Sequence, residues 1–245
     1  MSTLTIDPRF TGPAGSGNGG YVCGRLASYV DAAQGRVSVS LRQPPRLETP
    51  LTVTQSSSGA SLLDGKHAVA EARPGAFTGL PPDAVGLKAA RAAEARYRGL
   101  LSHPFPTCFV CGTARSPGDG LCLRPGAHGI GRTACVWAPD MSLNKGVGQV
   151  APEFVWSALD CPGGWTSNLE ERPLVLGTMT AVCNDPVMIG QEYVVVGQRV
   201  SEEGRKTFTA TALYDEEGRR LARSEHVWIA VDAAAFQQPA ALDDP

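Results

Sequence analysis

The sequence predicts an α+β protein made of two related halves joined head to tail, each a central helix against a long antiparallel sheet. Three observations carry that expectation. The same order of elements, a strand, then a helix, then several strands joined by short turns, occurs twice in the 245 residues. The strand candidates of the second half follow one another at hairpin distance, which fits antiparallel pairing because parallel neighbours need a long crossover. A segment of different composition separates the two runs. The divisions are residues 1–80, a linker over 81–126, residues 127–235, and a polar tail over 236–245.

The first half opens with a short strand candidate, Leu4 to Ile6, and a glycine-rich turn. Asn18 caps a helix predicted to run to about Ala33, since its side chain accepts an otherwise free N–H of the first turn; Gln34-Gly35 is the stop. Val37, Val39 and Leu41 alternate with polar residues, a period-two strand ended by Pro44-Pro45. A second strand starts near Leu51, and a hairpin turns at Asp64-Gly65. In the linker, Ala84 to Leu101 reads as a helix, and His103 to Gly126 as a structured crossover rich in Pro, Gly and Cys.

The second half repeats the plan. Arg132 to Trp137 is a strand. Pro152-Glu153 suits a first helical turn, where a missing N–H costs nothing and a negative charge favours the dipole. That helix is predicted to end near Cys161, at Pro162-Gly163-Gly164. Four strands follow, over about 178–183, 192–200, 205–214 and 219–231.

Composition narrows the function. Hydrophobic residues make up 42 % and charged residues 19 %, the balance of a globular chain. A net charge of -2 offers no broad attraction for nucleic acid or an anionic membrane. No apolar run approaches the ~20 residues of a membrane span. The first residues carry no secretory pattern, so a cytoplasmic setting is expected, with the seven cysteines as reduced thiols. Gly15 to Gly20 has neither the spacing of a dinucleotide loop nor the Lys-Ser/Thr ending of a phosphate loop.

Several stretches carry a family resemblance. Asn18-Gly19-Gly20-Tyr21 resembles the helix entry of acyl-CoA thioesterase-like hotdog proteins. Cys108-Phe109-Val110-Cys111-Gly112, Pro117-Gly118-Asp119-Gly120-Leu121 and Trp156 to Trp165 resemble a group of actinobacterial thioesterase-like proteins. Thr209 to Gly218 with Val227-Trp228-Ile229 is similar to the last hairpin of many hotdog domains. The resemblance implies a double hotdog: two repeats, each a long sheet wrapped around a helix, joined as a pseudo-dimer with a site between the halves. It implies a coenzyme A or acyl carrier protein thioester as substrate, no cofactor, and room for further homo-oligomerisation. Hotdog proteins also include dehydratases and non-catalytic acyl binders, so fold does not settle reaction.

Thioester hydrolysis needs a carboxylate to activate water or attack the carbonyl, and N–H groups to hold the oxyanion. Asp160 is the expected carboxylate, because an ionised group on an apolar helix is costly unless paired or functional. The first helix start, Asn18-Gly19-Gly20, is expected to bind the oxyanion. Gly19, Tyr21, Trp156 and Glu153 are expected to contact substrate, with Trp165 a further candidate for the acyl pocket. The plainer readings are a capped glycine turn, core aromatics, and a Glu153 that only favours its helix dipole. The first helix has no carboxylate before Asp31, so one working site per chain is expected. Cys108-x2-Cys111 resembles half a zinc site, with Cys122 and His103 or His128 as partners. No second ligand pair follows at regular spacing, so no metal is expected. Cys161, with no positive neighbour in sequence, is not expected to be a nucleophile. No histidine falls in either central helix, which disfavours hydratase chemistry.

Overall fold

The computed structural model describes residues 2–32 and 34–232; the predicted helix end at Ala33 and the tail lie outside them. Among the described residues eleven strands and three α-helices follow in chain order: β1 (Ser2–Leu4), α1 (Gly19–Ala27), β2 (Val37–Leu41), β3 (Leu51–Ser56), β4 (Gly59–Asp64), β5 (His67–Pro74), α2 (Leu87–Glu94), β6 (Gly126–Ala127), β7 (Arg132–Trp137), α3 (Pro152–Gly164), β8 (Leu174–Cys183), β9 (Tyr193–Glu203), β10 (Lys206–Tyr214) and β11 (Arg220–Ala230).

All the strands join one antiparallel sheet in the order β1-β3-β4-β5-β2-β8-β11-β10-β9-β7-β6. A large antiparallel sheet with few helices is consistent with a hotdog-type fold. At its centre β2 lies beside β8, Val37 opposite Ala181 and Ser40 opposite Thr178. Hydroxyl pairs cross this seam, Ser40 with Thr178 at 3.2 Å and Thr180 to Ser38 at 3.0 Å. Small polar side chains let the central strands pair on the face away from the core.

The two long helices pack on each other as well as on the sheet. Gly20 and Gly24, four residues apart, lie on one face of α1. A Cβ on Gly20 would stand 2.6 Å from the Asp160 Cβ, and one on Gly24 would stand 2.7 Å from the Glu153 Cα. Chain direction follows: Gly20 meets the later turns of α3 and Gly24 the first, so the helices run antiparallel.

The first half of β9, Tyr193 to Gly197, is buried on both faces. Tyr193 and Val195 join the main core with α1 and α3, while Val194 and Val196 pack with Ala90 and Ala93 of α2. Alternate side chains of a strand point to opposite faces, which explains the unbroken apolar run there. Among the described residues no helix is long and apolar enough to cross a membrane.

Three helix boundaries differ from expectation. α1 stops at Ala27, because tight turns then take its last carbonyls: Tyr29 N–H bonds Leu26 O, and Val30 N–H bonds Ala27 O. The linker helix is confined to α2, and the chain turns afterwards so that Tyr97 is buried with its hydroxyl on Cys111 O at 2.7 Å. α3 runs through Pro162 to Gly164 rather than ending at Cys161. A proline there removes one N–H from the helical ladder, and sheet threonines serve nearby carbonyls: Thr211 donates to Leu159 O and Thr133 to Pro162 O, both at 2.7 Å. Gly163 permits the approach, since a Cβ would lie 2.6 Å from the Thr209 hydroxyl.

Candidate active site

The site begins at the start of α1. Asn18 is its N-cap, accepting the Tyr21 N–H on Oδ1 at 2.9 Å. Its amide nitrogen is left over, and this donates to Asp160 Oδ2 at 3.1 Å. The Gly20 N–H donates to the same oxygen at 3.0 Å. Asp160 therefore sits at the positive end of α1 with one oxygen fixed by two donors. Asp160 is 2 % exposed. Its other oxygen, Oδ1, is buried without a hydrogen-bond partner. Burial pushes the Asp160 pKa up to about 7, the neighbouring Cys108 adds to the rise, and the Gly20 and Asn18 donors oppose it.

Asn18, Gly19 and Asp160 line one part of a cavity of about 270 Å³ whose walls include Leu176, Trp165 and Trp228. Gly19 is the first residue of α1, where an N–H has no partner within the helix. The cavity thus combines apolar walls with a buried carboxylate and a helix N-terminus, a combination suited to an apolar chain ending in a polar, reactive group.

Of the residues expected from sequence, Asn18, Gly20 and Asp160 come together, with Gly19 beside them. The Gly20 N–H is directed at Asp160. Three others lie elsewhere. Tyr21 stacks on Phe10 with ring centroids 4.1 Å apart and takes a bond from Arg25 on its hydroxyl. Trp156 is buried against Gly24. Glu153 stays on the partly exposed first turn of α3. None of the three lines the cavity.

The crossover brings Cys108 and Cys111 into the same cavity, where they meet Cys161 of α3 rather than the expected partners. The Cys108 and Cys161 sulfurs are 3.7 Å apart. Cys122 points instead at the Arg115 carbonyl. His103 lines the cavity, but its Nδ1 accepts the Phe105 N–H at 2.9 Å and its Nε2 faces Cys111 O at 3.2 Å. Those two bonds define a neutral tautomer, and burial holds its pKa below the usual histidine value. His226 is buried between the Thr209 and Ser224 hydroxyls, at 3.0 Å each.

Two features escaped the sequence. Gly20-x3-Gly24 is a small-residue pair at one-turn spacing, a readable sign of close helix packing. The cysteine trio had a weaker sign: Cys161 adjoins Asp160, the buried carboxylate of its helix, but 50 residues separate it from Cys111.

No protein-family model matches the sequence, and no curated protein matches it. Solved structures do. The tesB protein of Mycobacterium avium subspecies paratuberculosis superposes with a TM-score of 0.56 over 88 % of each chain, at 11 % identity. The chain shares that protein's fold. A thioesterase of Haemophilus influenzae gives a TM-score of 0.44 at 14 % identity, over 50 % of this chain and 86 % of that one. Zebra fish thioesterase superfamily member 2 gives 0.43 at 14 % identity, over 61 % and 100 %.

Proposed function

We propose that this chain is a double hotdog acyl thioesterase hydrolysing a coenzyme A or carrier-protein thioester beside Asp160. Two repeats, about residues 1–80 and 127–235, form the pseudo-dimer, joined by the linker over 81–126. The strand order supports this reading. From one edge it runs β1-β3-β4-β5-β2 and from the other, inside β6, β7-β9-β10-β11-β8, so equivalent strands occupy equivalent places.

One observation carries the reaction: a buried carboxylate, anchored through Oδ2 and unpartnered at Oδ1, lines an apolar cavity at a helix N-terminus. In the proposed step Asp160 takes a proton from water as the water oxygen adds to the thioester carbonyl. The Gly19 N–H and the positive end of α1 stabilise the oxyanion. The intermediate then collapses with cleavage of the C–S bond, and the proton passes from Asp160 to the departing thiolate. Gly20 and Asn18 hold the carboxylate in place. Between the two central helices, among the described residues, only α3 supplies such a group, which supports one working site per chain.

A second reading, a non-catalytic acyl binder, is favoured by the engagement of both Gly20 and Asn18 donors with Asp160, which leaves fewer for an oxyanion. Thiol release from a panel of acyl-CoAs separates the two. Hydrolysis by the native chain with a loss of at least about 100-fold in kcat in a folded Asp160→Asn variant supports the thioesterase. Retention of acyl-CoA without thiol release supports the binder, and equal turnover by the variant removes Asp160 from the mechanism.

A further inference from the structure

We propose that Cys108, Cys111 and Cys161 form a thiolate site for a zinc-class metal ion, set in the wall of the acyl cavity. The proposal stands on geometry and does not depend on the thioesterase reading. The three sulfurs lie within 4.8 Å of one another, and all three residues are buried and line the cavity. A tetrahedral zinc with bonds of about 2.3 Å places its sulfurs roughly 3.8 Å apart. The Cys108–Cys161 separation is already 3.7 Å.

The surroundings point the same way. Gly112 N–H bonds Cys108 O at 2.9 Å, closing a tight turn over the Cys-x2-Cys segment. A Cβ on Gly112 would lie 2.5 Å from Cys108 O, so the turn requires glycine there. Two N–H groups are aimed at the sulfurs: Trp165 Nε1 donates to Cys111 at 3.4 Å, and Asn18 Nδ2 approaches Cys108 at 3.9 Å. Donors onto sulfur favour a thiolate and form the outer support that metal ligands ordinarily have. Cys135 behaves differently. Buried in the sheet, its sulfur faces the Val195 carbonyl as a donor would.

The site is an open one. Three protein sulfurs leave the fourth tetrahedral position to water, or to an oxygen or sulfur of the molecule in the cavity. Binding displaces the thiol protons and joins the crossover segment to α3. Thiolates select zinc-class ions over magnesium or calcium.

The test uses the reduced full-length chain, stripped with a chelator and titrated with Zn²⁺ and, separately, Co²⁺. About one ion per chain is expected. The Co²⁺ form should show sulfur-to-metal charge transfer and tetrahedral ligand-field bands. Cys108→Ser, Cys111→Ser and Cys161→Ser should each weaken binding at least about tenfold, while Cys122→Ser should not. Thermal unfolding with and without Zn²⁺ adds a readout on the native chain in case a serine variant fails to fold, and the midpoint should rise with the ion. Absence of stoichiometric binding by the native reduced chain overturns the proposal. So does a Co²⁺ spectrum without sulfur charge transfer, or an equal loss in Cys122→Ser.

Discussion

The Gly20 N–H and the Asp160 carboxylate meet across the two long helices, 3.0 Å from nitrogen to Oδ2. The contact exists because position 20 has no side chain: a Cβ would stand 2.6 Å from that of Asp160. Helix packing and the placing of the carboxylate are therefore one arrangement.

Gly24→Ala tests that packing away from the carboxylate. Alanine raises helix propensity by about 1 kcal/mol over glycine. Against this, the new methyl meets the α3 backbone, 2.7 Å from the Glu153 Cα, and overpacking costs about 1–3 kcal/mol. The clash is expected to win, with a net loss of about 1 kcal/mol or more in urea unfolding at unchanged m-value. A stabilised variant would contradict the close helix crossing.

Asn18 has two duties, capping α1 and holding Asp160. Asn18→Ala should lose about 1 kcal/mol through the cap alone, and more because Asp160 loses one of its two donors. On the thioesterase reading its kcat should also fall while the chain stays folded. Steady-state kinetics beside urea unfolding check both effects, and a variant with native stability would dismiss the cap.

His226 provides a pH test. Burial pushes its pKa down to about 3, against an ordinary value near 6.5. The unfolded chain therefore binds one more proton between those values. The contribution of neutral His226 is complete above pH ~6.5 and is lost as pH falls toward 3, at up to roughly 1.4 kcal/mol per pH unit. Asp160, with its raised pKa, acts in the opposite sense over part of that range, so the comparison is with His226→Gln. Urea midpoints from pH 7 to pH 4 should fall more steeply in the native chain than in the variant. Parallel slopes would show that His226 takes up its proton in the folded state.

Local pattern located most of the strands. Alternation placed β2 at Val37–Leu41, the strand candidate Arg132–Trp137 is β7, and Asp64-Gly65 marked the β4–β5 hairpin. These features depend on neighbours in sequence. Helix ends were less legible. Whether α3 stops at Pro162 depends on threonines that reach it from β7 and β10, remote in the chain.

What the sequence by itself determined was the α+β plan, the cap at Asn18 and the anomaly of Asp160, an acid on an apolar helix. Each follows from residue chemistry and short-range periodicity. Only the tertiary structure decided that Asn18 and Gly20 hold that acid, that Tyr21 and Trp156 pack away from the cavity, and that Cys161 joins Cys108 and Cys111. The contacts that Asp160 and Cys161 make there span 50 to 142 residues, and they arise where two helices are pressed together on one sheet, a juxtaposition no local pattern encodes.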